Sequence, residues 1–248
     1  MNKIAVYIIS WSDRHDCAIR IYNEITGNEK IEKINIIYSD NDPSYRFPSQ
    51  YNAILIDNEA FWGRKFELLM NHNLENLDTL IIHADTSCEN WNKLVYRFYQ
   101  VTNKYKNIGV WAPKIDNTSW YKEKVIISST NDPHIAVVAQ TDGIVFGFKG
   151  FLLDRLRRMN FEVNNLGWGI DWVLIVNAFI QKSYAVIDDY CFVRHFQGTG
   201  YLRGLANKQM NIFLEQMDFH EKIILQLLNL KIKQNLEKIN LQQARQGN

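Results

Sequence analysis

Short apolar runs alternate with helical patterns through the first hundred residues, and this rhythm constrains the fold more than any other feature of the chain. The runs at 4–9 (IAVYII), 33–40 (KINIIYSD), 52–57 (NAILID) and 77–85 (LDTLIIHAD) read as strands, and a helix is predicted near 62–73. Consecutive parallel strands need a long return path, which a helix supplies, so the alternation predicts an α/β domain with a mainly parallel sheet flanked by helices. Sheets of that kind gather ligands at the carboxyl ends of their strands. The polar residues that close these runs are therefore the first site candidates: Ser10, Asp13 and Arg14, then Ser39, Asp40 and Asp42, then His83 and Asp85, with the backbone of Ala84 between them.

Beyond these runs, a helix is predicted from about 90 to 103, where Trp91, Leu94, Val95, Phe98 and Val101 make an apolar stripe. Strands follow at 108–114, 124–128 and within 135–150, then helices near 150–159 and 169–182, then a late strand at 185–195. Past Gly204 both Gly and Pro vanish until Gly247, and the periodicity is helical throughout. The expected organisation is one catalytic-type domain over 1–203 with an appended helical tail over 204–248. In that tail Phe213, Met217, Ile224, Leu227, Leu228 and Leu230 need cover from the domain, a second copy or a membrane surface.

Charge and cysteine usage narrow the partners. With 28 basic and 27 acidic residues the net charge is +1, so no strong field draws nucleic acid. Cys17, Cys88 and Cys191 are odd in number and widely spaced, a usage that fits a reducing, cytoplasmic setting. The opening apolar run is too short for a signal-peptide core, and no stretch reaches the roughly 18 residues that span a bilayer. Membrane contact is accordingly expected to be peripheral, at the inner face.

The most specific segment is NNLGWGIDWVLIVNAFIQKSYAVIDDYCFVRHFQGTGY, residues 164–201. Glycines on both sides of Trp168 let the backbone turn tightly while keeping an indole available as a platform for the apolar face of a sugar. Asp171 then stands at a helix start, and Arg194-His195 ends the late strand. Together with LIIHADTSCENW, this order of motifs resembles the GT-A glycosyltransferases, inverting ones above all. The match runs over roughly residues 3–201.

The resemblance implies a sugar transferred from a nucleotide-diphosphate donor to a hydroxyl of a glycan or lipid-linked glycan, with Mn2+ or Mg2+ as cofactor. It puts Asp85 at the last position of the family's DxD metal motif, Asp171 at the catalytic base and His195 at the late metal ligand. It puts Asp142, Gly143, Trp168, Gly169 and Tyr201 on the acceptor and sugar side. Two departures stand out. His83 occupies the first position of DxD, where imidazole suits manganese better than magnesium or touches only the nucleotide. Ile170 replaces the Glu that precedes the base in many inverting relatives.

The assignments also follow from chemistry. A carboxylate-held divalent ion neutralises charge on a departing diphosphate, and a second carboxylate takes the proton of the attacking hydroxyl. Structural alternatives remain open for each residue. Asp85 and Asp171 would serve equally as turn or cap residues, with the helix dipole keeping Asp171 ionised and weakly basic. His195 would serve as a strand-end histidine and Trp168 as core. Arg64 and Lys65 either offset phosphate charge or belong to a solvated helix face. Asp40 and Asp42 either hold a ribose or shape a turn.

Two other functions fit parts of the pattern. A sugar-phosphate nucleotidyltransferase shares much of such a sheet but opens on a glycine-rich loop, where this chain has SWSDRHD. A sugar-binding or inactive subunit would account for the Asp lost at His83. A dehalogenase-type phosphatase is disfavoured, because position 140 is Gln where the nucleophilic Asp would stand.

Overall fold

Residues Ile4–Ser10 form β1, buried at every position, as expected of a strand covered on both faces. The computed structural model describes residues 3–196 and 202–246. Strand β1 pairs in parallel with β2 (Ile31–Tyr38) on one side and β4 (Thr79–His83) on the other, and β3 (Ala53–Leu55) extends the parallel half beyond β2. Helices α1 (His15–Ile25) and α2 (Trp62–His72) lie between these strands in the chain.

The second half of the sheet is mixed. Strand β9 (Val145–Phe148) enters antiparallel between β4 and β6 (Ile108–Ile115), and β10 (Tyr184–His195) runs parallel to β6. Strands β8 (Ile135–Val138) and β7 (Ile126–Ser129) complete that edge, giving the order β3-β2-β1-β4-β9-β6-β10-β8-β7. The short β5 (Thr86–Cys88) pairs with the end of β10.

Alternate residues of β1 feed separate cores. Ile4, Val6 and Ile8 pack with α1 and α3 (Trp91–Lys104), whereas Ala5, Tyr7 and Ile9 face the side of α2 and α6 (Ile170–Ile180). Helix α6 is buried almost all round, as its unbroken run IDWVLIVNAFI requires, because it lies between β6 and β10 on one side and α8 (Phe219–Gln246) on the other.

Local differences from the sequence expectations have physical causes. The predicted strand at 124–128 begins only at Ile126, because residues 122–125 close one helical turn, α4 (Lys122–Val125). The predicted helix at 150–159 is a 3-10 turn followed by the four-residue α5 (Leu153–Leu156); there Gly150 passes so close to the Asn76 carbonyl that a Cβ would lie 1.6 Å from it.

The tail is two helices, α7 (Arg203–Leu214) and α8, divided at 215–218. Asp218 and Glu221 restart the chain as a reciprocal capping box: Glu221 N–H donates to Asp218 Oδ1 at 2.9 Å and Asp218 N–H to Glu221 Oε2 at 2.8 Å. Phe213, Met217 and Leu228 sink into the same core as α6, whereas Leu227 and Leu230 stay exposed.

Candidate active site

Loops from both halves of the sheet and the two C-terminal helices meet over the carboxyl ends of β1 and β4 and enclose a cavity of about 1580 Å³. Its size exceeds the roughly 300–1,000 Å³ of a pocket for one small ligand. Among the candidates, Asp13, Arg14, Lys65, His83, Asp85, Asp142, Gly143, Trp168, Gly169, Asp171 and His195 line it. Ser10, Asp40, Asp42, Arg64 and Ala84 do not line it, and Tyr201 lies outside the described residues.

Sheet register brings Asp85 and His195 together from positions 110 residues apart. Strand β10 runs antiparallel to β5 with His195 opposite Thr86, and the His195 Nε2 approaches Asp85 Oδ2 at 3.2 Å. The backbone N–H of His195 donates to Asp116 Oδ1 at 2.7 Å, which fixes the strand end. Burial works against the Asp85 charge, but the hydrogen bond from His195 and the nearby imidazoles hold its pKa below the usual carboxylate value. The same hydrogen bond raises the pKa of His195. Asp85 Oδ1 is buried with no hydrogen-bond partner.

His83 sits two residues away in sequence, with its ring 4.8 Å from that of Trp62 in an edge-on contact. Burial pushes its pKa down to about 4, so the imidazole is neutral near pH 7, and Nε2 is buried without a partner. No three His, Cys, Asp or Glu side chains among the described residues come together as a ready-made metal cage. Asp85 and His195 form the close pair, and His83 lies two residues from Asp85 in sequence.

A pair of carboxylates, Asp142 and Asp171, lines the same cavity. The loop between β8 and β9 carries Gln140, Asp142 and Gly143, and its placement follows from β9: His83 N–H donates to the Ile144 carbonyl at 3.1 Å. Gly143 lies under Asp171, whose Cβ would stand 3.7 Å from a Cβ added there. Gln140 Nε2 donates to Asp171 Oδ2 at 2.7 Å. Burial, and then the Asp142 charge, push the Asp171 pKa up to about 7. The helix dipole, expected from sequence to keep Asp171 weakly basic, is outweighed by these two effects. Burial raises the pKa of Asp142 as well.

The Gly-Trp-Gly loop is clasped by the start of α2. Gly167 and Gly169 take φ of +77° and +92°, values that favour glycine. Gly63 N–H donates to the Asn165 carbonyl at 2.8 Å, Phe61 N–H to Asn165 Oδ1 at 2.9 Å, and Asn165 Nδ2 to the Glu59 carbonyl at 2.8 Å. A Cβ on Gly63 would fall 1.8 Å from the Asn164 carbonyl oxygen, so only glycine allows this approach. Trp168 is half-buried on the cavity wall, joined there by Trp11, Trp62 and Trp120, which the sequence reading did not single out.

Lys65 is buried, with its ammonium donating to the Ser10 carbonyl at 2.8 Å, and burial lowers its pKa to about 7. It is not a residue of a solvated helix face. Arg64, by contrast, pairs with Glu67 at 2.8 Å on the outer side of α2.

Ser10 and Asp40 belong to the framework: His15, missed at the sequence level, takes a hydrogen bond with each, at 2.8 Å to Ser10 Oγ and 2.6 Å to Asp40 Oδ2, and stacks on Tyr45. Asp42 Oδ1 accepts from the Ser44 N–H and hydroxyl, which makes a turn. Gln140 had no sequence signal, since a neutral amide becomes informative only beside a titrating carboxylate.

No family model matches the chain, and no curated protein matches it. Solved structures do. A mannosyltransferase, PcManGT from Pyrobaculum calidifontis, in complex with GDP-Man and Mn2+, aligns with a TM-score of 0.57 at 12% identity, over 97% of this chain and 75% of that one. GalNAc-T7 with UDP, GalNAc and Mn2+ aligns at 0.59 and 10% identity, over 89% of this chain and 49% of that one, so this chain spans about half its length. A UDP-glucose pyrophosphorylase complexed with UDP-glucose aligns at 0.52 and 9% identity, over 86% of this chain and all of that one. At such identities the likeness is one of architecture, and the architecture, a central sheet flanked by helices with the cavity at the ends of β1 and β4, is the GT-A fold.

Proposed function

We propose that this protein is a glycosyltransferase that moves a sugar from a nucleotide-diphosphate donor to a hydroxyl acceptor, with Asp171 as the general base of a single inverting displacement. The observation that carries the reading is the Asp171 carboxyl, pushed up to about 7 beside Asp142 on the wall of the same large cavity that the Asp85–His195 pair lines. A general base works best when its pKa lies near the working pH, and Asp171 meets that condition through burial and its acidic neighbour. Both glycosyltransferase structures described above were determined with Mn2+, and one of them holds a nucleotide-sugar.

In this reading Asp13 and Arg14 face the nucleobase side of the donor and Lys65 its diphosphate, and the Lys65 ammonium, whose pKa burial lowers to about 7, is favoured in its charged form beside phosphate. The residues fit a divalent ion: Asp85 Oδ1 is buried and unpartnered, and the Nε2 atoms of His83 and His195 are close by, a mixed oxygen and nitrogen set that suits manganese. An ion held there would neutralise charge on the departing diphosphate. Gln140 Nε2 holds Asp171 Oδ2, and the Asp171 carboxylate takes the proton of the acceptor hydroxyl as the new glycosidic bond forms and the bond from the sugar to the diphosphate breaks. Trp168 offers its face to a sugar ring.

Thermal-shift titration with nucleotide diphosphates and manganese tests the donor side, because ligands of the folded state raise its apparent stability. Metal-dependent stabilisation that Asp85→Ala abolishes is the expected result, together with slow release of sugar from the matching nucleotide-sugar. Release of pyrophosphate from a nucleoside triphosphate and a sugar phosphate would instead identify a nucleotidyltransferase.

A further inference from the structure

Helix α8 is apolar on two opposite faces. Leu228 and Ile232 are buried against the domain, together with Asn235, whose amide donates to the Lys124 and Ile126 carbonyls. On the other side Phe219, Ile223, Leu227, Leu230 and Leu241 recur at helical spacing and are open to solvent: Phe219 is 73% exposed, Leu227 56%, Leu230 50% and Leu241 61%. Scattered apolar side chains on a surface need no explanation, but Phe219, Ile223, Leu227 and Leu230 exposed together on one face over about three turns, with Leu241 further along that face, do.

The charges around this stripe say what covers it. Lys231, Lys238 and Arg245, seven residues apart, run along one border, and Lys233 lies across from them. Glu237 is the one acid of α8 on the outer side, on the same face as the apolar side chains, and Glu123 of α4 lines a shallow groove together with Lys231 and Lys238. The other acid of α8, Glu221, is buried in its pair with Arg155, and Lys222 is paired with Glu215. A chain with a net charge of only +1 thus collects four basic side chains beside an exposed apolar face. A two-fold dimer through this face would set basic border against basic border, with one Glu237 per copy to answer them. An apolar face bordered by lysines matches the boundary between acyl chains and anionic headgroups. No helix among the described residues is long and apolar enough to cross a membrane.

We propose that the outer face of α8 lies in the plane of an anionic lipid bilayer. The cavity opens next to that face: Lys222, Leu225, Gln226 and Asn229 of α8 form part of its wall, and Gln226 stands three residues from Ile223 and four from Leu230. Docking on the bilayer therefore holds the cavity at the headgroup level. On the transferase reading, which this last step rests upon, the acceptor is a glycan or alcohol carried on a lipid rather than one free in solution.

Flotation of the full chain with vesicles of phosphatidylcholine alone, or with phosphatidylglycerol added, tests the proposal. Binding is expected only with the anionic lipid, falling with salt. Lys231→Glu/Lys233→Glu/Lys238→Glu is expected to lower the bound-to-free ratio at least about tenfold, each charge near the surface counting severalfold. Leu227→Glu/Leu230→Glu is expected to abolish binding. The altered positions are exposed, except that Lys231 is half-buried, and an unchanged thermal transition shows that both variants fold. Equal binding to neutral vesicles, no binding to either kind, or a dimer in light scattering that Leu227→Glu/Leu230→Glu dissolves would overturn the proposal. Sugar release from nucleotide-sugar, assayed without lipid, reports on the transferase reading separately, so either idea can fail alone.

Discussion

Gln140 donates its side-chain amide to Asp171 Oδ2 at 2.7 Å, joining the loop that precedes β9 to the first turn of α6. A donor to a carboxylate favours its charged form, so this contact restrains the upward shift that burial and Asp142 impose. Gln140→Ala removes the donor without adding charge. A hydrogen bond to a charged group contributes about 1.5–3 kcal/mol, so turnover at pH 7 is expected to fall by about tenfold or more with KM for the donor unchanged. The acidic limb of the pH–rate profile is expected to move upward. A limb that stays in place would mean that Gln140 does not act through Asp171.

The same carboxyl makes stability depend on pH with a definite sign. Asp171 is raised to about 7 in the folded state from a reference of 3.8, so the native protein holds a proton that the unfolded chain has released between those values. Stability therefore falls as pH rises through that window and levels off above about 7. Asp171→Asn is expected to flatten this slope and to raise stability at pH 8 by up to about 4 kcal/mol, while lowering turnover by about 10² or more. Chemical denaturation of both proteins from pH 4 to 8 measures the first effect. An ordinary helix cap would lose stability and keep its rate.

The strands, the order of α2, α3 and α6, and the placement of Asp85, Asp171 and His195 at the cavity were legible because each rests on local pattern. Strand runs carry their own periodicity, and residues at the ends of neighbouring strands converge whatever their neighbours are. What was not legible depends on contacts across long sequence distances. His15 reads as an ordinary helix residue until Ser10 and Asp40 close on it, and Lys65 reads as a solvated face until Trp11 and the Ser10 carbonyl surround it. Asp171 showed its helix position but not its basicity, because burial and Asp142 come from the folded chain.

Gly63 is a position where backbone approach, not chemistry, holds the site together. Gly63→Ala puts a methyl group 1.8 Å from the Asn164 carbonyl oxygen, so the turn before Trp168 must move away from α2. Overpacking of this kind costs about 1–3 kcal/mol. Because Asn165 also ties that turn to Glu59 and Phe61, the Gly-Trp-Gly loop shifts as a unit. Reduced protein stability and weaker protection of Trp168 from fluorescence quenching on donor binding are expected together. Lowered stability with an unaltered Trp168 signal would show that the loop adjusts elsewhere.

Glu221 fastens α8 to the domain, and its loss is expected to release the tail. Arg155 donates from Nε to Oε1 at 2.6 Å and from Nη2 to Oε2 at 2.8 Å, Asn177 donates to Oε1 at 3.1 Å, and the Asp218 N–H completes the set. Burial opposes the Glu221 charge, but these donors outweigh it and hold its pKa below the reference of 4.5. The stabilisation is thus fully present above about pH 4.5 and lost as pH falls through the lower folded value. Glu221→Ala leaves the Arg155 guanidinium unanswered in a half-buried site and removes the capping box, a loss of about 3–5 kcal/mol for breaking such a pair. Limited proteolysis at pH 7 is expected to cut the variant near 215–218, where α7 gives way to α8, while the wild-type chain resists. Glu221→Gln, which keeps the shape and one acceptor, should fall between the two, and lowering the pH to 3.5 should bring the wild type towards the variants. Equal resistance of all three proteins at pH 7 would show that apolar packing of Phe213, Met217 and Leu228 alone holds the tail.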